Sequence, residues 1–287
     1  VERPGLALTW GQLAATLREL RALLPRLDAA PGLLAERFVW LEAAPPTLLT
    51  GYYEPWLEAS LTPDAAYPYP LYALPDDLKV ADLGAFHPRW EGQRLVYRMG
   101  EDGIEPYPDR AAIDHDGALQ GAEVLAWARD PVDVFFLHIQ GSGRLQLPDG
   151  ESRHILYAGR NGRQYVALGR VLVDRGLLEP DEVSMQSIRR VLTANPHLRA
   201  ELLAENPSYV FFRLADEGPY GSMNRILTPL VSVATDRGVF PPGALLAVDA
   251  PLPEAVPGFG ARPVDRFRAL VLPQDSQAQA LGDGDLA

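Results

Sequence analysis

A chain of 287 residues is long for one domain and suits two, and its 47% of apolar residues come in short runs, none near the roughly 20 that a membrane-spanning helix needs. Cysteine is absent, which excludes disulfide staples, thiolate catalysis and cysteine-bound zinc and is compatible with an oxidising compartment. A formal net charge of −12 argues against nucleic acid as a partner, because neutralisation of phosphates by Lys and Arg dominates that affinity.

The first segment, "VERPGLALTW", lacks the charged-then-apolar pattern of an export signal, so the expectation is a leader already removed or never present. Thr9 is placed to cap a helix whose Leu13, Leu17, Leu20 and Leu24 follow helical spacing, with Pro25 near its end. The Pro- and Tyr-rich stretch "PTLLTGYYEPWLEASLTPDAAYPYPLYALP" reads as extended or looping chain, since each proline removes a donor and biases its predecessor away from the helix. From about Gly92 to Tyr157 the pattern is short strands and turns. Within it "VDVFFLHI" (132–139) reads as a buried strand, and "GRLQLPDGESRHILY" as two strands around a Pro-Asp-Gly turn.

Composition then changes. "GRQYVALGRVLVDRG" (162–176) carries Tyr165, Leu168 and Leu172 at helical spacing and stops at Gly176. Two more short helices follow, "SMQSIRRVLTA" and "PHLRAELLAE", the second with Asn195 as its cap and Pro196 in its first turn. After Pro207 come the strands "SYVFFRL", "PLVSVAT", "ALLAVDA" and "RFRALVL". The order helix, β segment, three helices, β segment is most economically a β-rich domain inserted into another.

The five histidines, His87, His115, His138, His154 and His197, show no metal-site spacing, so each is more simply a surface or core residue. "QGSG" (140–143) lacks the ending of a phosphate-binding loop and reads as a tight turn between strands. Neither a G-x-S-x-G elbow nor a Ser-His-Asp set stands out. Carboxylates are more suggestive: Asp236 and Asp275 end apolar strands, and Asp285 lies in "GDGDLA". Aspartates at strand ends commonly accept backbone hydrogen bonds in turns, but a scaffold can also aim them into a cleft. With the tyrosines of "TGYYEP" beside them, they point to a carbohydrate-active enzyme, since aromatic faces and carboxylates together suit sugars.

Six ordered stretches carry a resemblance: "LLTGYYEPWLEASLTPDAAYPYPLYALP", "FLHIQGSGRLQLPDG", "YAGRNGRQYVALGRVLVDRG", "SMQSIRRVL", "NPSYVFFR" and "SVATDRGVFPPGALLAV". Together they resemble the membrane-bound lytic transglycosylase A (MltA) family over about residues 48–275. The resemblance implies a mainly β protein with several helices: a double-psi β-barrel domain (residues 1–54 and 160–287) holding an inserted smaller β-barrel domain (55–159), with the glycan in a groove between them. It implies cleavage of the MurNAc–GlcNAc β-1,4 bond of peptidoglycan with a 1,6-anhydro product, in the periplasm or at the outer membrane. Peptidoglycan strands are then the partner and nucleic acid is not. A lipid anchor would lie outside these residues, the chain would act as a monomer, and no metal or organic cofactor is required.

In the family's three-aspartate domain the carboxylates align with Asp236, Asp275 and Asp285, the last being the catalytic acid. The glycan-holding residues implied are Thr50, Tyr52, Tyr53, Gln140, Gly141 and Ser142, with Arg237 orienting Asp236. Where the family reads like "DTGGAI" and then "ADLF", this chain reads "DSQAQALGDGDLA". The glycine pair is replaced by Gln277 and Ala278, the spacing to Asp285 is slightly short, and the family's further glycine-rich stretch and final strand are missing.

The mechanism implied needs one carboxyl group rather than the usual glycosidase pair. The nucleophile is the MurNAc C6 hydroxyl, already attached to the reacting ring and so at very high effective concentration. The acid must be protonated near neutral pH although an unperturbed aspartate titrates near 3.9, so burial or the like charge of Asp275 would have to raise it. Two other outcomes are compatible with the same residues. A divergent C-terminus would leave a catalytically impaired peptidoglycan-binding protein, and Asp236 or Asp275 activating water would make a hydrolase.

Overall fold

In the computed structural model, residues 2–3, 6–42, 54–237, 239–251 and 266–276 are described. Two compact units emerge: residues 53–219, and residues 1–52 together with 220–281.

The unit of residues 53–219 is built on a six-stranded mixed sheet. Its order is Val210–Ala215, Ser152–Arg160, Ser142–Gln146, Trp56–Ser60, Val124–Ala128 and Tyr69–Tyr72. All neighbours run antiparallel except Trp56–Ser60 beside Ser142–Gln146, where Trp56, Leu57 and Glu58 face Arg144, Leu145 and Gln146. Period-two alternation decides which side chains are inside. Leu57 and Leu145 are buried with Leu71, Ile155 and Phe212, while Trp56, Glu58 and Gln146 face outward. The strands around the Pro-Asp-Gly turn form as expected.

Residues 132–139 form a helix, Pro131–Gln140, not the expected strand. Asp130 caps it through Val132 N at 2.8 Å, Pro131 occupies its first turn, and Gly141 closes it at φ 77°. The helix is apolar almost all round because it is covered on two sides. Val134 and Leu137 pack on the sheet, while Val132, Phe135 and Phe136 pack with Leu168, Leu172, Ile188, Leu192 and Leu202 of three helices. Those helices are Leu168–Asp174, Met185–Ala194 and Arg199–Ala204. Asn195 does not start the last of them. It ends the preceding helix, its side chain donating to Val191 O at 2.9 Å, and the next helix begins after Leu198 with no side-chain cap.

The expected insertion limit at residue 159 falls inside strand Ser152–Arg160, where Gly159 pairs with Phe211. The compact unit therefore runs on through the helices to Pro219. A second layer in the unit is the antiparallel meander Lys79–Asp82, Arg94–Gly100 and Gly103–Pro106.

A buried polar knot ties this unit together. The Arg110 guanidinium, nearly inaccessible, donates to Asn206 O (3.0 Å), Ser208 O (2.7 Å) and His138 Nδ1 (3.0 Å), between the rings of Phe135 and Tyr209. Asn161 donates to Pro108 O and Pro207 O and accepts from Tyr209 N, so the "RNG" and "NPSY" stretches are joined by their own side chains. Burial, with Arg110 adding to it, pushes the His138 imidazole well below its ordinary value; burial, with Asp114 adding to it, pushes the Tyr209 phenol well above its own.

In the other unit the short strands Glu2–Arg3 and Leu6–Ala7 precede helix Trp10–Leu27, which is capped as expected. Thr9 Oγ1 accepts from Gln12 N at 3.2 Å while Gln12 Oε1 accepts from Thr9 N at 2.8 Å. Its sheet has the order Ser232–Thr235, Arg266–Ser276, Leu246–Pro251, parallel in the first pair and antiparallel in the second. Among the described residues two of the sheets are mixed, several helices pack with them, and none of the sheets closes into a barrel.

Candidate active site

Asp236 and Asp275 come together through the parallel pair of strands. Ala234 stands beside Asp275 across a register shift, and Thr235 beside Ser276, so both aspartates sit at the same, C-terminal end of neighbouring strands. Asp236 starts a turn whose Val239 and Phe240 N–H groups donate to its carbonyl at 2.9 and 2.8 Å, and Thr235 Oγ1 closes that turn onto Phe240 O. Asp275 Oδ1 accepts the backbone N–H of Ser222 at 2.8 Å, and Arg237 Nη2 donates to Ser222 Oγ at 2.8 Å. Ser222, unremarked in the sequence, thus joins the arginine to the aspartate. Gly221 precedes it because a Cβ there would lie 2.4 Å from Gln274 O; the backbones pass too closely for a side chain.

In the unit of residues 53–219, Gln140, Gly141 and Ser142 form the passage from a helix into a strand rather than a turn between strands. Gly141 takes the left-handed conformation and donates its N–H to Leu137 O at 2.8 Å. Gly143 has a different reason to be glycine. A Cβ there would meet Leu137 Cδ1 at 2.7 Å and Pro55 O at 2.8 Å, and Pro55 O accepts the N–H of Arg144 at 2.8 Å. This close approach is what brings "QGSG" against the end of "TGYYEP".

Glu54 fixes that junction. Its Oε1 lies 3.0 Å from His154 Nδ1, its Oε2 lies 3.4 Å from an Arg144 nitrogen, and Arg144 Nη2 lies 3.1 Å from His154 Nε2. An arginine only donates, so Nε2 must be the lone-pair nitrogen, and the proton on Nδ1 points at Glu54. The Arg144 guanidinium also covers the Trp56 ring at 5.2 Å. Sequence reasoning missed this trio because its members lie up to 100 residues apart, and His154 by itself carries no spacing signal.

Thr50, Tyr52, Tyr53 and Asp285 lie outside the described residues. Among the described residues no group of three or more His, Asp or Glu side chains could hold a metal ion.

A family model described as the MltA specific insert domain matches residues 48–213. The chain belongs to the MltA family. It is 34% identical over 209 residues to the membrane-bound lytic murein transglycosylase A of Vibrio cholerae, covering 71% of this chain and 50% of that protein. The chain spans about half the length of the curated relatives it matches. Among solved structures, MltA from Neisseria gonorrhoeae superposes with a TM-score of 0.69 at 32% identity, covering 80% of this chain and 63% of that one. Escherichia coli MltA with bound chitohexaose gives 0.62 at 30% identity, covering 80% and 61%. The matched segment contains the Glu54 trio, the "QGSG" passage and the Arg110 knot, so these features sit in the part of the chain that defines the MltA likeness. Among the described residues no helix is long and apolar enough to cross a membrane.

Proposed function

We propose that this chain is a peptidoglycan lytic transglycosylase of the cell envelope, cutting the MurNAc–GlcNAc β-1,4 bond and leaving a 1,6-anhydro end. The observation that carries the reading is the parallel pairing of Ser232–Thr235 with Arg266–Ser276, which sets Asp236 and Asp275 at one end of a sheet in a chain of this family. The sugar ligand in the E. coli MltA structure supports a glycan as the bound species. The finer architecture, a double-psi barrel carrying an inserted barrel, belongs to the same reading and is supported by that parallel pair with its antiparallel neighbour.

Asp285 protonates the leaving glycosidic oxygen as the C1–O bond breaks, and positive charge develops on the sugar ring. The ring's own C6 hydroxyl then attacks C1 and gives its proton to the Asp285 carboxylate, which restores the acid. Asp275, held by Ser222, and Asp236 supply negative charge and hydrogen-bond acceptors around that site. Thr50, Tyr52, Tyr53, Gln140, Gly141 and Ser142 hold the glycan, and Glu54 directly follows the tyrosines in the chain. The protein acts as a monomer on glycan strands, at the outer membrane or in the periplasm.

The test is digestion of purified sacculi followed by mass spectrometry of the fragments. Anhydro ends are expected from the wild type and none from Asp285→Asn, with glycan affinity of the variant nearly unchanged. Reducing ends would replace this reading with hydrolysis by Asp236 or Asp275, and binding without any cleavage would leave a glycan-binding protein.

A further inference from the structure

The meander Lys79–Asp82, Arg94–Gly100 and Gly103–Pro106 turns one face to its own unit and leaves the other in solvent. Val96 marks the inner face, packed against the cluster that holds Tyr107 and Phe211. Alternation along the strands and the register between them then assign the outer face. Leu95 stands there beside Ala81, Tyr97 between Lys79 and Pro106, and Met99 beside Ile104. An antiparallel sheet with one face in water ordinarily carries polar residues on it. This face is apolar at each of those positions except Lys79. Met99 and Ile104 are each 64% exposed and Leu95 is 41% exposed, and with Tyr97 between Leu95 and Met99 they form a continuous patch rather than scattered single residues.

At its hairpin end the patch meets a cleft of about 710 Å³, which Met99 and Ile104 line together with Asp77, Glu101, Asp102 and Glu105. Those four carboxylates face one guanidinium, that of Arg98, which is paired with Glu105 at 2.5 Å. Tyr107 donates to Asp77 at 2.8 Å, a bond that leaves the carboxylate its charge. Glu101 and Asp102, in the turn between the two strands, have no cation partner among the described residues. Lys79, on the far edge strand, has its Nζ on Asp76 O at 2.7 Å, and counting it still leaves the carboxylates in excess. An exposed aliphatic patch and a surplus of negative charge therefore lie side by side.

Together these two features select the occupant. Nucleic acid and an anionic lipid surface are repelled, and a second copy would bring the same acids on a chain of net charge −12. A polypeptide with Lys or Arg beside aliphatic side chains matches both features, and the flexible thioether of Met99 adapts to the shape laid on it. We infer that the outer face of the meander docks a basic, amphipathic segment of a partner protein, with its apolar side chains on Leu95, Met99 and Ile104 and its cations beside Glu101 and Asp102. This surface is independent of the sugar chemistry proposed above.

The probe is a fluorescein-labelled peptide of alternating Lys and Leu, KLKLKLK, titrated into the full chain by fluorescence polarisation, with KSKSKSK and ELELELE as its polar and acidic twins. A dissociation constant of about 100 µM or lower is expected at low salt for the Lys-Leu peptide alone, weakening as salt rises. Met99→Ser with Ile104→Ser, and separately Glu101→Gln with Asp102→Asn, should each weaken it about tenfold. All four side chains are exposed, so these variants should melt with the wild type. The same change of two charges elsewhere on the surface, Glu179→Gln with Asp181→Asn, should leave the affinity within about twofold. Equal binding of KSKSKSK would reduce the surface to bulk charge, and equal binding of ELELELE would reduce it to bulk hydrophobicity. Either result overturns the assignment, as does a control pair that loses as much affinity as Glu101→Gln with Asp102→Asn, or a Lys-Leu peptide that does not bind. A dimer in sedimentation equilibrium that Met99→Ser with Ile104→Ser abolishes would give the face to a second copy. Pelleting with phosphatidylglycerol vesicles that the same pair abolishes would give it to a membrane. Both of these outcomes also overturn the inference.

Discussion

Replacing Glu54 with alanine removes the acceptor on which His154 and Arg144 converge. The Glu54 and His154 side chains are 20% and 13% exposed, so solvent repairs the loss only in part. A hydrogen bond to a charged group is worth about 1.5–3 kcal/mol, and the longer 3.4 Å contact to Arg144 adds less. Discounted for partial exposure, Glu54→Ala should cost roughly 2–3 kcal/mol. For a unit of this size each kcal/mol lowers the melting temperature by roughly 2–4 °C, so the midpoint should fall by roughly 4–12 °C. Glu54→Gln keeps an oxygen for the His154 proton and loses only the charge facing Arg144, so it should cost about half as much. The assay is thermal unfolding by circular dichroism, with chitohexaose titration on the same samples. Because Glu54 directly follows Tyr53 in "TGYYEP", glycan affinity should weaken in the same order as stability. If Glu54→Ala melts within 1 °C of wild type, or if the glutamine variant is as damaged as the alanine one, the tautomer argument and the clamp built on it are wrong.

Three further outcomes follow from the geometry. His138 is buried neutral with its value pushed down, so the unfolded state takes up its proton first; stability should be full above about pH 6.5 and decline by up to about 1.4 kcal/mol per pH unit below it, and His138→Phe should flatten that slope in urea titrations between pH 7.5 and 5.5. Gly143→Ala and Gly221→Ala each place a methyl group against a carbonyl oxygen, at 2.8 and 2.4 Å, and should each cost roughly 1–3 kcal/mol by denaturant unfolding; an unchanged midpoint would mean that the two backbone approaches are looser than described. Asp275→Asn retains an oxygen for the Ser222 N–H and should leave the fold intact while lowering kcat more than it changes KM, whereas a loss confined to KM would make Asp275 a binding group only.

Much of the fold was legible where local chemistry is self-sufficient. The Thr9 capping box, the Pro-Asp-Gly hairpin and the helix ending before Gly176 each depend on residues a few positions apart. The misread stretch at 132–139 shows the limit. An apolar run of eight residues fits a buried strand or a helix covered on two sides, and periodicity cannot separate them. The capping signals could have: Asp130, Pro131, Asp133 and Gly141 are a helix start and stop, and they were in plain view. Asn195 erred in the other direction, a good capping residue that serves the end of one helix instead of the start of the next. The strand-end positions of Asp236 and Asp275 were legible because strand ends are local features. Ser222 was not, because its role exists only once a strand 53 residues away lies beside it. The Glu54 trio was hidden for the same reason.

Asp275 is already engaged in the fold. Asp275 has one carboxylate oxygen committed as acceptor to the Ser222 N–H, and the serine is itself held by Arg237. A group whose oxygen receives a backbone donor is suited to stay where it is and act as a fixed negative neighbour. The single-acid scheme asks for both kinds of group, one that carries the proton and one that keeps the field constant while charge appears on the ring. In the proposed scheme Asp275 takes the second part and Asp285 the first.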